Sequence, residues 1–403
     1  MTGFTSCSPS QIAIKVSLKA ERLIKKGHPW IFEDSIIKLN KQGKPGDLCV
    51  LFDQRRNKIF AIGLYDPDSP IRIKIIANSG PQKIDAEFFA NKITNAFSLR
   101  KPLLATQTNS YRLIHGENDG LPGFVADIYA NVLVVKLYSA IWFPYLETLI
   151  RILISVSHCQ TVVLRLSRKL QKESQLGLAD GQVLYGKLEN EIVHFWEHGV
   201  HFSADVVRGH KTGYFLDHRH NRKKVGNKSY GKTVLDVFAY AGGFTVHALA
   251  GGATKVTSLD ISAHALKMAQ QNAKLNDFKG LHKIVEDDAF RALNRKISEK
   301  RAFDMVVIDP PSFAKSKKEV EQAKKKYAQL ASLGIQLTHK GGTLVLASCS
   351  TRVDAESFFA THEDAALVSN KRIERFKTTF HDIDHPIGFQ EGAYLKCAYY
   401  KVS

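Results

Sequence analysis

The chain has 403 residues, of which 44% are hydrophobic and 24% charged, with 27 glycines and 12 prolines. That is globular composition; it excludes a fibrous, collagen-like or wholly disordered chain, and the length points to two or three domains. Lys and Arg number 57 against 39 Asp and Glu, a net charge of +18, which points to a polyanionic partner over the plainer alternative of a merely basic surface.

Residues 1–79 read as a small all-β region. The first twenty hold no continuous apolar run, so no signal peptide is expected. The stretch from Ser17 to Ile37 carries Lys19, Arg22, Lys25 and Lys26, then Gly27-His28-Pro29-Trp30. Leu48–Phe52 and Ile59–Leu64 read as strands around a polar, basic turn at 53–58. Ile71–Ile75 alternates with period two, as a half-buried strand does. Asn78-Ser79-Gly80-Pro81 reads as a linker.

Residues 80–198 read as α+β. A helix is expected from Asp85 to about Arg100, then the loop His115–Gly123. A hairpin follows, Phe124–Tyr129 and Val132–Tyr138, around Ala130-Asn131. A helix near Tyr145–Val156 and a strand at Thr161–Leu166 complete it. The long apolar stretch 132–166 is broken by Lys136, Glu147 and Arg151, which argues against a membrane helix.

Residues 199–403 alternate strand and helix: Thr233–Phe238, Val256–Asp260, a helix at Ala263–Leu275, then strands at His282–Val285, Asp304–Ile308 and Thr343–Ala347, the last after a Gly341-Gly342 turn. Such repetition argues for a doubly wound, mainly parallel α/β sheet, whose ligands sit beyond the carboxyl ends of the strands. The first strand ends in Asp236-Val237-Phe238-Ala239-Tyr240-Ala241-Gly242-Gly243. Phe238 and Tyr240 crowd a turn that a pyrophosphate would need open, so a nucleoside fits better than a dinucleotide; a plain strand-to-helix turn with two glycines is the alternative. Asp260 ends the second strand, where a carboxylate can accept both ribose hydroxyls; capping the next helix is the alternative. Asp287 or Asp288 could accept the exocyclic amine of adenine, or be a solvated acidic turn. The fourth strand ends in Asp309-Pro310-Pro311-Ser312-Phe313, a rigid loop holding a carboxylate at the sheet edge.

Five cysteines (Cys7, Cys49, Cys159, Cys349, Cys397) lie far apart with no CxxC and no Cys/His cluster. Neither a disulfide framework nor a metal site is expected, and a reducing cytoplasm fits best. Four of them read as inert core residues. Cys349 follows the fifth strand, one strand from Asp309 in the usual order. Two basic runs flank the site: Arg219, Arg222, Lys223, Lys224, Lys228 and Lys232, then Lys315, Lys317, Lys318, Lys324, Lys325 and Lys326. Beside a reaction site they suggest phosphate binding.

These residues resemble a known family. The third region resembles class I S-adenosylmethionine-dependent methyltransferases. The whole chain resembles the bacterial large-subunit ribosomal RNA cytosine-5 methyltransferases with an N-terminal PUA domain. The matching segments are Gly27–Phe32, Gly116–Gly123, Lys211-Thr212-Gly213-Tyr214-Phe215-Leu216-Asp217, Asp309–Phe313 and Ser348-Cys349-Ser350. They fall in order across all three regions. The resemblance implies a PUA RNA-binding domain (1–79), a central α+β domain (80–198) and a Rossmann-like catalytic domain (199–403) with an antiparallel last strand. It implies that Asp236, Phe238 and Gly242 form the cofactor loop, Asp260 takes the ribose and Asp288 (or Asp287) the adenine. Asp217 and Arg219 would lie near the methionine end. His218 stands where the family commonly has Gln. Relatives that share the Asp-Pro-Pro loop but modify guanine lack a cysteine after the fifth strand.

Carbon 5 of cytosine is a poor nucleophile until a thiolate adds to carbon 6, which gives Cys349 its expected role and requires a site that favours the anion. Asp309 would bond the ring edge bearing nitrogen 3, and would also border the cofactor. RNA, most naturally ribosomal, is the expected partner, with no membrane; the oligomeric state, a homodimer included, stays open. The same fold acting on another base or another RNA is the nearest rival. A non-catalytic RNA-binding assembly factor is a second and a dehydrogenase a distant third.

Overall fold

The computed structural model describes residues 9–173 and 177–403. Cys7, expected in a core, lies outside the described residues. Contacts divide the chain into two compact units. One holds the residues up to Trp196, Ser203–Leu216 and Ile383–Gln390; the other holds Glu197–Phe202, Asp217–Asp382 and Glu391–Ser403.

The first unit opens with strands β1 (Gln11–Val16), β2 (Trp30–Phe32), β3 (Ile36–Leu39), β4 (Leu48–Phe52), β5 (Ile59–Tyr65) and β6 (Ile71–Ala77). They form one sheet in the order β2-β6-β5-β4-β1-β3. A helix absent from the sequence reading, α1 (Leu18–Lys25), follows β1; Ser17 caps it by accepting from the Ala20 N–H. Its inner face buries Ala20 and Ile24, while Lys19, Arg22 and Lys25 stay exposed. In the turn between β4 and β5 the Asp53 carboxylate accepts from the backbone of Arg55, Arg56 and Lys58. Gln54 N–H donates to Glu21 of α1 at 3.0 Å, so this turn and α1 share one basic face. β6 departs from the expected alternation. It is buried from Ile73 to Ala77, because Lys74 is sunk into the unit and paired with Asp66.

Next come α2 (Ala86–Leu104), β7 (Ser110–His115), β8 (Phe124–Tyr129), β9 (Val132–Leu137), α3 (Leu146–Ser157), β10 (Thr161–Leu166), α4 (Arg168–Glu173) and β11 (Val183–Tyr185). The sheet runs β11-β10-β9-β8-β7. Asp85 caps α2. The apolar segment Ala140–Ser157 is long and apolar enough to pass for a membrane span by composition. Here it is a 3-10 turn followed by α3, with Leu146, Leu149, Ile150 and Leu153 in the core. β12 (Ile192–Glu197) and β13 (Val200–Asp205) pair separately.

Buried charge ties the first unit together. Arg100 is 0% exposed. It grips both oxygens of Asp119 at 2.9 and 2.6 Å and donates to the carbonyls of Ala96, Arg112 and Asp384. Asp384 belongs to a late segment, Ile383–Gln390, that packs here. Arg112 N–H donates to its carboxylate, and Gly388 N–H donates to Asn118. Phe389 meets Trp30 edge-on at 5.0 Å, and Trp30 Nε1 donates to Glu117 at 3.0 Å. The Gly27–Phe32 and Gly116–Gly123 segments therefore meet in one place.

The second unit is a seven-stranded sheet with helices α5 (Arg219–Asn227), α6 (Gly243–Ala250), α7 (Ala263–Lys274), α8 (Ala289–Ser298), α9 (Val320–Leu337) and α10 (Ala355–Leu367). Its strands are β14 (Thr233–Val237), β15 (Lys255–Asp260), β16 (Leu281–Glu286), β17 (Phe303–Ile308), β18 (Thr338–Ser348), β19 (Ile373–Thr379) and β20 (Lys396–Val402), in the order β16-β15-β14-β17-β18-β20-β19. The first five are parallel; β20 is antiparallel to β18 and β19. β18 runs through Gly341-Gly342 where the sequence suggested a turn, and its register with β17 shifts there. Removing one partner of a buried ion pair costs about 3–5 kcal/mol. Arg100→Met is therefore expected to lose about that much stability in urea unfolding, with Arg151→Met, an exposed surface change, losing under about 1 kcal/mol.

Candidate active site

All of the site lies in the second unit, at the carboxyl ends of its parallel strands. β14 ends in a turn that L-residues resist: Phe238 and Tyr240 have φ of 63° and 47°, and Gly242 has 77°. Backbone held in this left-handed region stores strain and marks functional turns. Gly242 is required twice over, since a Cβ there would lie 2.8 Å from Ala269. Tyr240 N–H donates to Asp260 Oδ2 at 2.9 Å, and Ser262 N–H donates to Asp260 Oδ1 at 2.9 Å. Ser262, not Asp260, caps α7. The Asp260 carboxylate thus pins the turn from the end of β15.

Asp236 stands behind the turn, 1% exposed. Its Oδ2 accepts from the Thr245 N–H and hydroxyl at 3.0 and 2.7 Å. Its Oδ1 has no hydrogen-bond partner among the described residues. Burial pushes this carboxyl up to about 7 against the opposing Thr245 bonds. Asp287 is committed elsewhere: Arg291 and Arg295 pair with it, and the Arg291 bond, ahead of the opposing burial, holds it below the usual carboxylate range. Asp288 caps α8 with one oxygen and is half-buried.

Asp309 and Cys349 leave the sheet from β17 and β18, parallel neighbours in which Ile308 stands opposite Leu346. Cys349 is half-buried, whereas Cys49, Cys159 and Cys397 are buried. Burial, then the carboxylates of Asp309 and Asp217, push its thiol up to about 12. The expected preference for the anion is therefore reversed in the chain itself, because burial penalises the charged sulfur and two carboxylates then oppose a third negative charge. His218 is buried with Nε2 3.4 Å from Asp309 Oδ1, too poorly aligned for a hydrogen bond. Burial would lower its pKa, but the Asp309 charge, with Asp217 behind it, wins and raises it. Asp217 accepts from the Tyr394 hydroxyl at 3.0 Å.

Two expected surface cations are not on the surface. Arg219 is buried and donates to Asp382 at 2.9 Å. Arg222 is buried against Glu197 through two bonds of 2.7 and 2.6 Å, and His247 meets the same carboxylate at 2.9 Å. Burial would raise Glu197, but Arg222 and His247 hold it well below its ordinary range. A run without acids, from His218 to Leu235, thus hides arginines whose partners are distant in sequence. The second basic run stays outside: Lys315, Lys317, Lys318 and Lys325 are exposed. The Lys211–Leu216 segment lies in the first unit, where the Thr212 hydroxyl donates to Asp127 at 2.6 Å. Tyr394 and Lys396 had not been singled out in the sequence. The one signal for Lys396 is a charge heading the apolar run Cys397–Tyr400 of β20.

The geometry fits a nucleoside-bearing cofactor. The turn at 238–242 leaves no glycine-rich cradle for phosphates, Asp260 ends the neighbouring strand, and the orphaned Asp236 oxygen sits behind them. Residues 111–394 match the S-adenosylmethionine-dependent methyltransferase family, and residues 14–78 match a PUA-like domain. The chain is 42% identical over 399 residues to a ribosomal RNA large subunit methyltransferase of Deinococcus radiodurans, covering 97% of this chain and 98% of the relative. It is 35% identical to ribosomal RNA large subunit methyltransferase I of Shewanella frigidimarina, covering 96% and 98%. A SAM-dependent methyltransferase from Streptococcus mutans shares the fold, with a TM-score of 0.80 at 20% identity over 96% of this chain and 99% of that one.

The His218–Asp309 contact has a pH signature. A raised imidazole pKa means the contact stabilises the fold below the ordinary histidine value and fades as pH rises through the folded value. In an NMR titration His218 is expected to titrate above an ordinary histidine in the wild type. In Asp309→Asn, with burial unopposed by that carboxylate, it should titrate below one. An unshifted His218 in that variant would show that the two do not interact.

Proposed function

The chain belongs to the S-adenosylmethionine-dependent methyltransferase family and carries a PUA-like domain; from that premise we propose that it methylates carbon 5 of a cytosine in large-subunit ribosomal RNA, in the cytoplasm, through a covalent adduct on Cys349. The observation that carries this reading is a half-buried cysteine leaving β18 beside the Asp-Pro-Pro loop that leaves β17. The ribosomal substrate is supported by relatives that span the whole chain and by two exposed basic surfaces, α1 with its neighbouring turn and the Lys315–Lys326 run.

Asp260 would hold the ribose hydroxyls, Asp288 the adenine amine, and the 236–242 turn the nucleoside, with Asp217 towards the methionine end. Arg219, committed to Asp382, would act there by fixing α5. When bound, S-adenosylmethionine supplies an electrophilic methyl group for carbon 5. Cys349, as the thiolate, adds to carbon 6 of the cytosine and makes carbon 5 nucleophilic. Asp309 stabilises the charge that develops at the edge bearing nitrogen 3. A base then takes the carbon 5 proton, and the electron pair of that C–H bond restores the ring double bond as the Cys349 sulfur leaves. The target must be unstacked to reach the strand ends, at a cost of a few kcal/mol unless the RNA is already open.

A second reading, methylation of another base without a covalent step, is favoured by the thiol held neutral in the chain itself. Mass-spectrometric mapping of the methyl position separates the two, and a methyl anywhere but carbon 5 of cytosine rejects the first. Cys349→Ala is expected to lower methyl transfer by about a thousandfold or more while leaving S-adenosylmethionine affinity, measured by calorimetry, unchanged. Asp260→Ala is expected to weaken that affinity by about tenfold to a hundredfold, the worth of hydrogen bonds to a charged group. RNA affinity should fall steeply with salt, and a flat log–log plot would contradict phosphate binding by the basic surfaces.

A further inference from the structure

Lys396 opens β20 and stands opposite Ser348 in the register with β18. It is 3% exposed. Its ammonium meets carbonyl oxygens where a carboxylate would be expected: it donates to Ser350 O and Val353 O, and more weakly to Tyr394 O at 3.4 Å. Taking an ammonium out of water without a counter-ion costs several kcal/mol, and neutral carbonyl dipoles return only part of it. Ordinary strand packing does not explain that choice, since Leu395, Cys397 and Ala398 beside it are plain core residues. The Ser350 and Val353 carbonyls belong to the loop that Cys349 begins.

Cys349 faces the carboxylates of Asp309 and Asp217; its own backbone N–H and, after it, the Lys396 ammonium act against them. Lys396 in turn faces Cys349 and Asp354. Burial lowers the Lys396 ammonium to about 8, and the Cys349 and Asp354 charges act against that fall.

We propose that Lys396 is a positioning residue for Cys349: it clasps the loop after the nucleophile through its carbonyl oxygens and sets beside the sulfur the fixed positive charge that stabilises the thiolate. The proposal rests on the reading of Cys349 as nucleophile. The thiol gives its proton to solvent, the sulfur keeps the electron pair that later bonds carbon 6, and Lys396 keeps its own proton throughout.

Alkylation of the intact protein by iodoacetamide tests this without RNA or turnover. The thiolate displaces iodide, and the rate at the Cys349 peptide is followed by mass spectrometry across pH. Wild type is compared with Lys396→Met and Lys396→Arg, and S-adenosylmethionine affinity is measured as a check of the fold. At pH 7.5, Lys396→Met should alkylate Cys349 at least about tenfold more slowly, the effect of a one-unit rise in thiol pKa. Lys396→Arg should recover most of the rate. An equal or faster rate in a folded Lys396→Met protein makes the lysine a structural clasp only and overturns the proposal. If Lys396→Met does not fold, Lys396→Arg decides alone: it keeps its charge above pH 8, so near pH 9 it should alkylate faster than wild type, and a slower rate overturns the proposal. Methyl transfer by Cys349→Ala is scored separately. Turnover there removes the nucleophile reading but leaves the alkylation result intact, whereas unchanged alkylation with a dead Cys349→Ala removes only this inference.

Discussion

The chemistry of the second unit depends on one hydrogen-bonded register, that between β17 and β18. Parallel pairing sets Ile308 opposite Leu346, so the residues that follow both strands emerge at the same sheet edge. Asp309 and Cys349, forty positions apart in the chain, become neighbours for that reason. The antiparallel entry of β20 on the far side of β18 brings Lys396 against the same loop. A one-residue slip in either pairing would turn these side chains to the opposite face. The strained turn at Phe238–Gly242 sits one strand further on, pinned by Asp260.

Charge burial is the second constraint, and it works in two directions. Where a partner is close, burial fixes structure: Arg222 with Glu197 and His247, Arg219 with Asp382, Arg100 with Asp119. These groups hold α5 and the β7–β8 region in place. Where like charges gather, burial makes a group reluctant to ionise. Cys349 is held as the neutral thiol by desolvation and two carboxylates, and Asp236 titrates near neutrality for want of water. On the proposed reading, in which a thiolate forms among carboxylates, positive charge is needed, and a buried lysine that ion-pairs with no carboxylate among the described residues becomes intelligible in that light.

The first unit carries a different logic. The basic outer face of α1 and the Asp53-organised turn form a surface suited to phosphates, while the interior is knitted by Arg100, Asp119 and Asp384. The late segment Ile383–Gln390 completes that interior by setting Phe389 against Trp30. Segments that look unrelated in the sequence, around Trp30, Glu117 and Phe389, are therefore one packed cluster.

Sequence by itself determined most of the element order. Strand–helix alternation, the turn residues and the capping groups are local properties, and Thr161–Leu166, Val132–Tyr138 (one residue longer than the observed strand) and the parallel strands are legible from periodicity and punctuation. The acids at strand ends were legible too, because a doubly wound sheet presents them there. Tertiary structure decided everything that needed a partner distant in the chain. It divided Asp287, paired with two arginines, from Asp288; it hid Arg219 and Arg222; it sank Lys74 into a strand whose sequence alternates but whose burial does not; and it made Lys396 part of the Cys349 loop. The physical reason is that burial and ion pairing depend on which groups converge in space, and a carboxylate or an ammonium carries no local mark of whether its counter-charge lies three residues away or a hundred and sixty.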